Sequence, residues 1–460
     1  MRLRVGPCLI SLYRRSLRCA STTTPRLPSL LQRHLSCLVD STPPTPGLAA
    51  ANPALETLPE HPHPHLGLRP VRPVAAVCIC GIFAFLNLYS TQPLLPLFAH
   101  LFRASEAAVG LTISASTLGV ALAAPICGAL TERLSRRRVI VVSTVLLAVP
   151  TLLAATSPGL HTLIFWRFIQ GLALPGIFAT VITYVGEEWR RETIALVMSL
   201  YVSSTALGGF LGRFLSGLIA DTLGWRWSFV ALGLLTLLGA CFIARWLPHG
   251  SQRSLSPPAE AARPGFRMAL RHFRNTRLLA TFTVGFGMLF TLVSTFTYVT
   301  FYLADPPFRL STFGLSNIFA IYLVGLAVTP LGGYLITRIG MRRGILLAIT
   351  LGATGAAITL SHSLWIVILP GLGLVCSGVF IAQSTAASYL RVAAPPGGRV
   401  SAAGLYIACY YIGGTVGGVV PGWVWRIGHW PACVALTEAV LLILLVVALA
   451  GWRNVAWSTH

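Results

Sequence analysis

The stretch GALTERLSRRR, residues Gly128–Arg138, is a short charged loop wedged between two apolar runs, each long enough to cross a bilayer. It occurs twice. Setting Gly128 on Gly333 gives an offset of 205 (333 minus 128), and Leu130 then falls on Leu335, Arg133 on Arg338, Arg137 on Arg342 and Arg138 on Arg343. The same offset carries Gly208, Gly209, Gly212 and Gly217 onto Gly413, Gly414, Gly417 and Gly422, and Trp225 onto Trp430. Two separate matches at one offset mark a duplicated chain.

Composition says what the repeat is made of. Charged residues are 10% of the chain, against about 25% in a typical soluble domain, and mean hydropathy is +0.75. A water-facing surface cannot be assembled from this, so the repeat unit is a set of membrane helices. All 34 Lys+Arg residues are Arg, and the net charge is +22. The arginines sit in loops and at the ends of apolar runs, where membrane topology accounts for them, so no nucleic-acid partner is expected. The ten cysteines form no CxxC pair, and Cys127, Cys241, Cys376 and Cys409 lie inside apolar runs as small hydrophobes.

A helix needs about 20 mostly apolar residues to span the hydrocarbon core. Runs of that kind fall at 74–98, 107–130, 139–155, 160–185, 193–220 and 227–247, then at 279–303, 313–336, 344–360, 364–390, 400–420 and 430–450. The expected fold is therefore all-α and integral to the membrane, with twelve transmembrane helices in two duplicated six-helix halves, 74–247 and 279–450. Parallel repeats of this kind are a construction principle of secondary transporters, whose substrate site lies between the halves.

The flanking segments differ in character. Residues 1–73 carry seven arginines (2, 4, 14, 15, 18, 26 and 33) before the first acid, Asp40, and are rich in Ser, Thr and Pro. They read as a disordered basic extension, resembling an organellar transit peptide or else being a translated upstream stretch or the cytoplasmic tail of a bacterial protein, and the latter pair is preferred. Its tract of His61, His63 and His65 has metal-binding residue types but no fold to converge them, so no metal is expected. The linker 248–278 opens Ser/Pro-rich and turns basic. Phe266, Leu270 and Phe273 alternate there with Arg267, Arg271 and Arg274 as a helix for the anionic leaflet surface or a solvated loop. Residues 451–460 form a tail. Arginines concentrate in the loops on the linker's side, which puts both termini in the cytoplasm.

Several polar residues lie inside the apolar runs. An Arg at a helix centre costs about 2.5–3.5 kcal/mol on insertion scales, so Arg167 and Arg213 should face a cavity or a partner. The fifth run carries Arg213 amid glycines at three- and four-residue spacing, a smooth stripe for close helix approach. The first run holds Asn87, Tyr89, Thr91 and Gln92 ahead of Pro93 and Pro96, with Asn87/Thr91 and Tyr89/Gln92 spaced to share helix faces. Run seven contributes Thr291, Ser294, Thr295, Thr297 and Tyr298. Glu438 is the one acid well inside a run, while Asp221 and Asp305 close runs five and seven.

The loop Gly128, Glu132-Arg133 and Arg136–Arg138, with Arg167, Gln170 and Gly171 as Arg-x-x-Gln-Gly in run four, resembles the major facilitator superfamily, in particular its bacterial proton-driven multidrug and sugar efflux branch. The resemblance covers about Val74–Ala450. Glu132 stands where the family has Asp and Ser135 where it has Gly, and Arg213 stands where efflux members show Gly-Pro. It implies a conformational latch at Gly128, Glu132, Arg133, Arg136 and Arg137, repeated at Gly333, Arg338 and Arg342. It further implies a cavity lined by helices one, four, seven and ten, faced by Asn87, Tyr89, Gln92, Gln170 and Tyr298, and a part in proton coupling for Arg167. Beside the resemblance, Arg167 and Arg213 join the substrate-cavity candidates as intramembrane cations, and Glu438, the one acid well inside a run, is a candidate for proton coupling.

The expected function is a secondary active transporter of small molecules, drug-like compounds or sugars, working by alternating access and driven outward by protons. The rival is a uniporter or importer of an organic anion that uses the intramembrane arginines. It is expected in the bacterial inner membrane, with an organellar membrane as the minor alternative, as a functional monomer without cofactor. No nucleotide loop, metal-ligand helix motif or nucleophile-base arrangement speaks for an enzyme.

The charge bias sets up a labelling test. In a cysteine-free background, Arg253→Cys should react with an impermeant maleimide only from the cytoplasmic side and Arg309→Cys only from the opposite side; the reverse pattern would overturn the orientation.

Overall fold

The computed structural model describes residues 71–131, 134–248, 272–395 and 398–452. The extension up to residue 70 with His61, His63 and His65, the loop residues Glu132 and Arg133, most of the linker and the tail beyond Trp452 lie outside the described residues. Among the described residues, eleven helical stretches are long and apolar enough to cross a membrane. In chain order these are α1 (Val71–Phe102), α2 (Glu106–Thr131), α3 (Arg136–Ala155), α4 (Leu160–Glu188), α5 (Arg191–Leu223), α6 (Trp225–Trp246), α7 (Thr276–Ala304), α8 (Thr312–Ile339), α9 (Met341–Ile358) and α10 (Leu364–Ala393). The last stretch, Arg399–Gly451, contains two helices.

That last stretch runs 53 residues and is interrupted at Gly428 and His429. A straight helix of that length would reach about 80 Å, against a hydrocarbon core of about 30 Å. Instead the chain turns back on itself: Cys433 Sγ lies 3.4 Å from the Pro421 carbonyl oxygen. We number the two parts α11 (residues 399–427) and α12 (residues 430–451), which brings the crossings to the expected twelve. The same turn joins α5 to α6. Ser228 Oγ donates to the Ser216 carbonyl at 2.8 Å, and Gly224 turns the chain at φ +96°, a conformation favouring glycine. Adding 205 to Ser216, Gly224 and Ser228 gives Pro421, His429 and Cys433, and His429 takes the positive φ of 49°.

The glycine stripe packs as its spacing demands. A Cβ on Gly208 or Gly212 would stand 2.2 or 2.0 Å from the carbonyl oxygens of Ile82 and Leu86 on α1. The repeat mates do the same against α7, where Gly413 and Gly417 would meet the carbonyls of Phe286 and Phe290 at 1.9 and 2.7 Å. The two halves are thus built round the same backbone-to-backbone approach, α1 on α5 and α7 on α11.

Side-chain caps mark the starts of α3, α7 and α8. Ser135 Oγ accepts from the Arg138 N–H at 3.4 Å, Asn275 Oδ1 from Arg277 N–H at 3.1 Å, and Ser311 Oγ from Gly314 N–H at 3.1 Å. Accordingly α3 and α7 begin three residues earlier than the apolar runs suggest, taking Arg136–Arg138 and Arg277 into their first turns.

The first helix departs most from expectation. Its regular part ends at Leu88, residues Tyr89–Thr91 form a turn, Gln92–Leu94 a tight helical turn, and the helix resumes over Leu95–Phe102. Across this tightened turn Tyr89 and Gln92 both reach Arg213, whereas the Asn87 side chain bonds Thr151 and Thr236 and Thr91 accepts from Thr112. Pro93 and Pro96 have no N–H to give the carbonyls of Tyr89 and Gln92, four residues back. Those carbonyls instead accept three-residue bonds from Gln92 N (3.1 Å) and Leu95 N.

The glycine approach yields a prediction. Gly212→Val in purified protein should destabilise the fold by about 1–3 kcal/mol, seen as a lowered Tm by scanning fluorimetry. Gly404→Ala, inside α11 where a Cβ meets nothing within 4 Å, should not lower Tm.

Candidate functional site at the break in α1

Ending a helix in the middle of a membrane leaves its last carbonyls without partners, each costly in hydrocarbon. Arg167 of α4 fills this gap. Its Nη1 donates to the Asn87 carbonyl at 2.7 Å, its Nη2 to the Leu88 carbonyl, and its Nε to the Thr112 carbonyl of α2 at 3.1 Å. The guanidinium caps the negative end of the broken helix, where the helix dipole favours a cation. Gln170 Oε1, at 2.6 Å from Nη1, completes the set. Arg167 is 0% exposed, and among the described residues no carboxylate pairs with it. It faces partners, as its cost requires, and those partners are backbone.

Asn87 and Gln170 belong to the same network. Gln170 Nε2 donates to Thr151 Oγ1 of α3 at 2.8 Å, Thr151 donates to Asn87 Oδ1 at 3.0 Å, and Asn87 Nδ2 donates to Thr236 Oγ1 of α6 at 2.9 Å. The other side of the break is closed by Ser216 of α5, whose hydroxyl donates to the Ser90 carbonyl at 2.6 Å.

Arg213 is a different kind of buried cation. Its Nε donates to Gln92 Oε1 at 2.6 Å and its Nη1 to the Gly209 carbonyl of its own helix at 2.5 Å. Otherwise it is surrounded by aromatic faces: Tyr89 at 4.8 Å, Phe319 at 5.0 Å and Tyr322 at 4.4 Å from ring centroid to Cζ. It too has no carboxylate partner among the described residues, and it is 1% exposed. Burying an ion costs several kcal/mol after relaxation. A desolvated cation–π contact returns about 2 kcal/mol and a hydrogen bond to a charged group about 1.5–3 kcal/mol. Three rings and two hydrogen bonds are enough to hold Arg213 in place as a cation.

Phe319 and Tyr322 belong to the second half, so Arg213 joins the two halves. Gln92 does so as well: its Nε2 donates to Thr297 Oγ1 of α7 at 3.1 Å, and Thr297 is its own repeat mate at 205. Around these two bridges α2 meets α11 and α5 meets α8. Ser114 Oγ donates to the Thr415 carbonyl at 2.6 Å, Thr117 and Thr415 hydroxyls are 3.0 Å apart, and a Cβ on Gly110 would stand 2.2 Å from the Gly418 carbonyl. On the opposite side of the bridges Phe214 and Phe313 lie 5.9 Å apart, and Gly217 packs on Ser316. Nearer mid-helix, Phe178 of α4 stacks on Tyr411 of α11 at 6.0 Å. These contacts run from the middle of the helices to the face carrying the α1–α2 loop.

Tyr298 is fully buried, and its hydroxyl donates to the Gly418 carbonyl at 2.8 Å, tying α7 to α11 within the second half. Glu438 makes no hydrogen bond or ion pair with Arg167 or Arg213; its Oε1 is buried on α12 with no partner among the described residues. In the repeated loop, Arg136 forms a two-pronged ion pair with Glu187 at the end of α4. Arg137 Nη2 donates to the Ala244 carbonyl and Nε to that of Leu247 at 2.8 Å, capping α6. Its mate Arg342 Nη2 donates to the Leu449 carbonyl at 3.3 Å, capping α12, and 449 is 244 plus 205. Arg338 lies over the Tyr334 ring at 4.7 Å. Gly128 and Gly333 lie within α2 and α8.

Phe319, Tyr322 and Glu187 are the participants that sequence reasoning missed. No motif announces the two aromatics, since an FAIYL string in an apolar run reads as ordinary packing. Glu187 lies just past the end of the fourth apolar run, where no motif marks it.

Comparison with known proteins places this geometry. The family model described as Major Facilitator Superfamily matches residues 77–328. An uncharacterised MFS-type transporter of Bacillus subtilis, YybF, is 30% identical over 368 residues, 79% of this chain and 89% of that protein. The inner membrane transport protein YnfM of Escherichia coli is 29% identical over 378 residues, 82% of this chain and 89% of that protein. Among solved structures, a D-xylose-proton symporter superposes with a TM-score of 0.68 at 15% identity, covering 84% of this chain and 98% of that one. An inward-facing bacterial homologue of the human lysosomal transporter Spinster gives 0.66 at 16% identity, over 84% of this chain and 97% of that one.

The capping role of Arg167 is open to test. Arg167→Met leaves the Leu88 carbonyl unpaired, at about 1–3 kcal/mol, and the Asn87 carbonyl with the Ser90 hydroxyl alone. The variant should lose its monodisperse peak in detergent or show a strongly lowered Tm. Arg167→Lys, with one donor group in place of a fork, should fall between Met and native.

Proposed function

The chain belongs to the Major Facilitator Superfamily, and we propose that it is a secondary active carrier that exports small molecules by alternating access, driven by inward proton movement. It is a multi-pass membrane transporter and not an enzyme. The observation that carries the proposal is the pair of bridges Arg213–Phe319/Tyr322 and Gln92–Thr297, which join the two six-helix halves beside a break in α1. A carrier has to break and remake such contacts in every cycle, and polar and cation–π contacts between halves can separate at modest cost. We assign the substrate region to Tyr89, Gln92 and Arg213, with Asn87, Arg167 and Gln170 holding the shape of the break and Tyr298 holding α7 on α11. Glu438 is the proposed proton carrier. The repeated loop arginines, through Arg136–Glu187 and the caps by Arg137 and Arg342, keep each half rigid as it moves.

By the positive-inside rule the α1–α2 loop face is the outer one and both termini are cytoplasmic; the proposal sets the chain in a bacterial inner membrane, working as a monomer. In the fold described here the halves meet from mid-membrane to the outer face, the arrangement of a carrier closed to the outside. A second reading, uniport or import of an organic anion, is favoured by one observation: neither Arg167 nor Arg213 has a carboxylate partner among the described residues.

Inverted vesicles containing the chain, energised and loaded with fluorescent cationic or acidic dyes, provide the test. Proton-driven export predicts substrate-dependent accumulation that collapses with an uncoupler. Flux indifferent to the uncoupler would overturn proton coupling, and absence of any substrate-dependent flux would overturn the carrier reading.

A further inference from the structure

We propose that Arg213 is the docking point for a small organic monocarboxylate with an apolar or aromatic body, and that Gln92 converts its arrival into release of the contact between the halves. The proposal deepens the carrier reading above and rests on it. The two intramembrane cations differ in what they can still bind. Arg167 spends its fork on three backbone carbonyls and Gln170. Arg213 donates through Nε and Nη1 alone; its Nη2 has no hydrogen-bond acceptor among the described residues. A guanidinium presents five N–H donors, and a carboxylate takes them in parallel pairs.

The surroundings favour that ligand over others. Tyr89 and Tyr322, whose rings lie on the guanidinium, make no hydrogen bond through their hydroxyls among the described residues, and each keeps 6% of its surface open. Those hydroxyls are donors available to a carboxylate oxygen. Phe319 and Tyr322, with Phe296 at 4.6 Å from Tyr322 and Phe380 at 6.5 Å, supply an apolar wall for the body of the ligand. A dianion such as a phosphate monoester would call for a second cation, and Arg167 is already committed to the backbone of α1. A cationic ligand would meet like charge.

The charge is present in one half only. Adding 205 to Tyr89, Gln92 and Arg213 gives Ser294, Thr297 and Gly418. The first half thus holds the carboxylate and the second holds the body, so the ligand contacts both. Gln92 couples the two events, because its Oε1 accepts from Arg213 while its Nε2 donates to Thr297 across the halves. A carboxylate that draws the guanidinium off the rings also draws it from Gln92, whose amide is then free to turn away from Thr297. Gln92 is a positioning residue in this scheme, and Arg213 is the residue that touches the ligand.

The full chain in detergent is titrated with propionate, octanoate, 4-phenylbutyrate and indole-3-acetate, with 4-phenylbutyramide and phenyl phosphate as comparisons, by thermal shift and by tryptophan fluorescence. At least one monocarboxylate with an apolar body should raise Tm and saturate, whereas the amide and the phosphate should not. Arg213→Lys should weaken that binding tenfold or more, and Tyr322→Leu, which keeps the cation, should weaken octanoate less than the aromatic acids. Spin labels on α2 and α11 of the native chain should separate at saturating carboxylate, and with Gln92→Leu the ligand should bind without changing that distance. Equal response to 4-phenylbutyrate and its amide, unchanged carboxylate affinity in Arg213→Lys, or no response to any acid would overturn the proposal. Dye flux that persists in native vesicles while the native chain responds to no acid would overturn this proposal and leave the carrier reading standing. Loss of all flux in the native chain would instead bring down the carrier reading, whatever the binding data.

Discussion

The structure depends on one capping interaction, Arg167 against the carbonyls of Asn87 and Leu88. A helix that stops in mid-membrane has no water to take up its terminal carbonyls. Once Pro93 and Pro96 have removed the donors that would have continued the helix, a fork of N–H groups from a neighbour is the economical remedy. Everything around the break follows. Residues Tyr89 and Gln92 leave the regular spiral and come within reach of Arg213 and α7, and the Asn87–Thr151–Gln170 network locks three further helices to the same spot. A cation that looked expensive in the sequence is the piece that makes an irregular, polar backbone tolerable there.

Two kinds of duplication coexist in the fold. In the scaffold it is close to literal: Arg137 caps at Ala244 and Arg342 at Leu449, the α5–α6 and α11–α12 turns close through equivalent atoms, and the same glycines carry the same helix pairs together. At the centre it fails. Arg213 corresponds to Gly418, and where one half presents a guanidinium the other presents a bare carbonyl that accepts from Tyr298. Packing has been held constant while the chemistry between the halves diverged.

Most of the fold was legible in the sequence because hydropathy and the offset of 205 are properties of single residues and their spacing. The twelve crossings, the duplicated loop and the helix-to-helix role of Gly208, Gly212, Gly413 and Gly417 could all be read that way. The centre was less legible. The prolines of α1 signalled a bend, but not that regular helix ends at Leu88, because that depends on a partner 80 residues away, Arg167. Arg213 stood out for its charge, yet its cage could not be read, since Phe319 and Tyr322 come from another helix in the other half and look like ordinary apolar residues in their own run. Helix starts at Arg136 and Thr276 were missed for a simpler reason: hydropathy discounts arginines that a capping Ser135 or Asn275 brings into the first turn.

The contact between Gln92 and Thr297 has a consequence for how such a chain could arise. Equivalent residues that touch must lie on the pseudo-two-fold axis relating the halves, as in the self-complementary interface of a symmetric dimer. In a homodimer of six-helix chains, position 92 would meet its own copy, and any arginine beside it would be matched by a second arginine across the axis. Two like charges would then share one low-dielectric site. A lone cation at the axis is therefore closed to a homodimer and open to a fused chain, in which position 213 can become Arg while 418 remains Gly. Linking the halves did more than fix their stoichiometry: it allowed the centre to carry an odd charge.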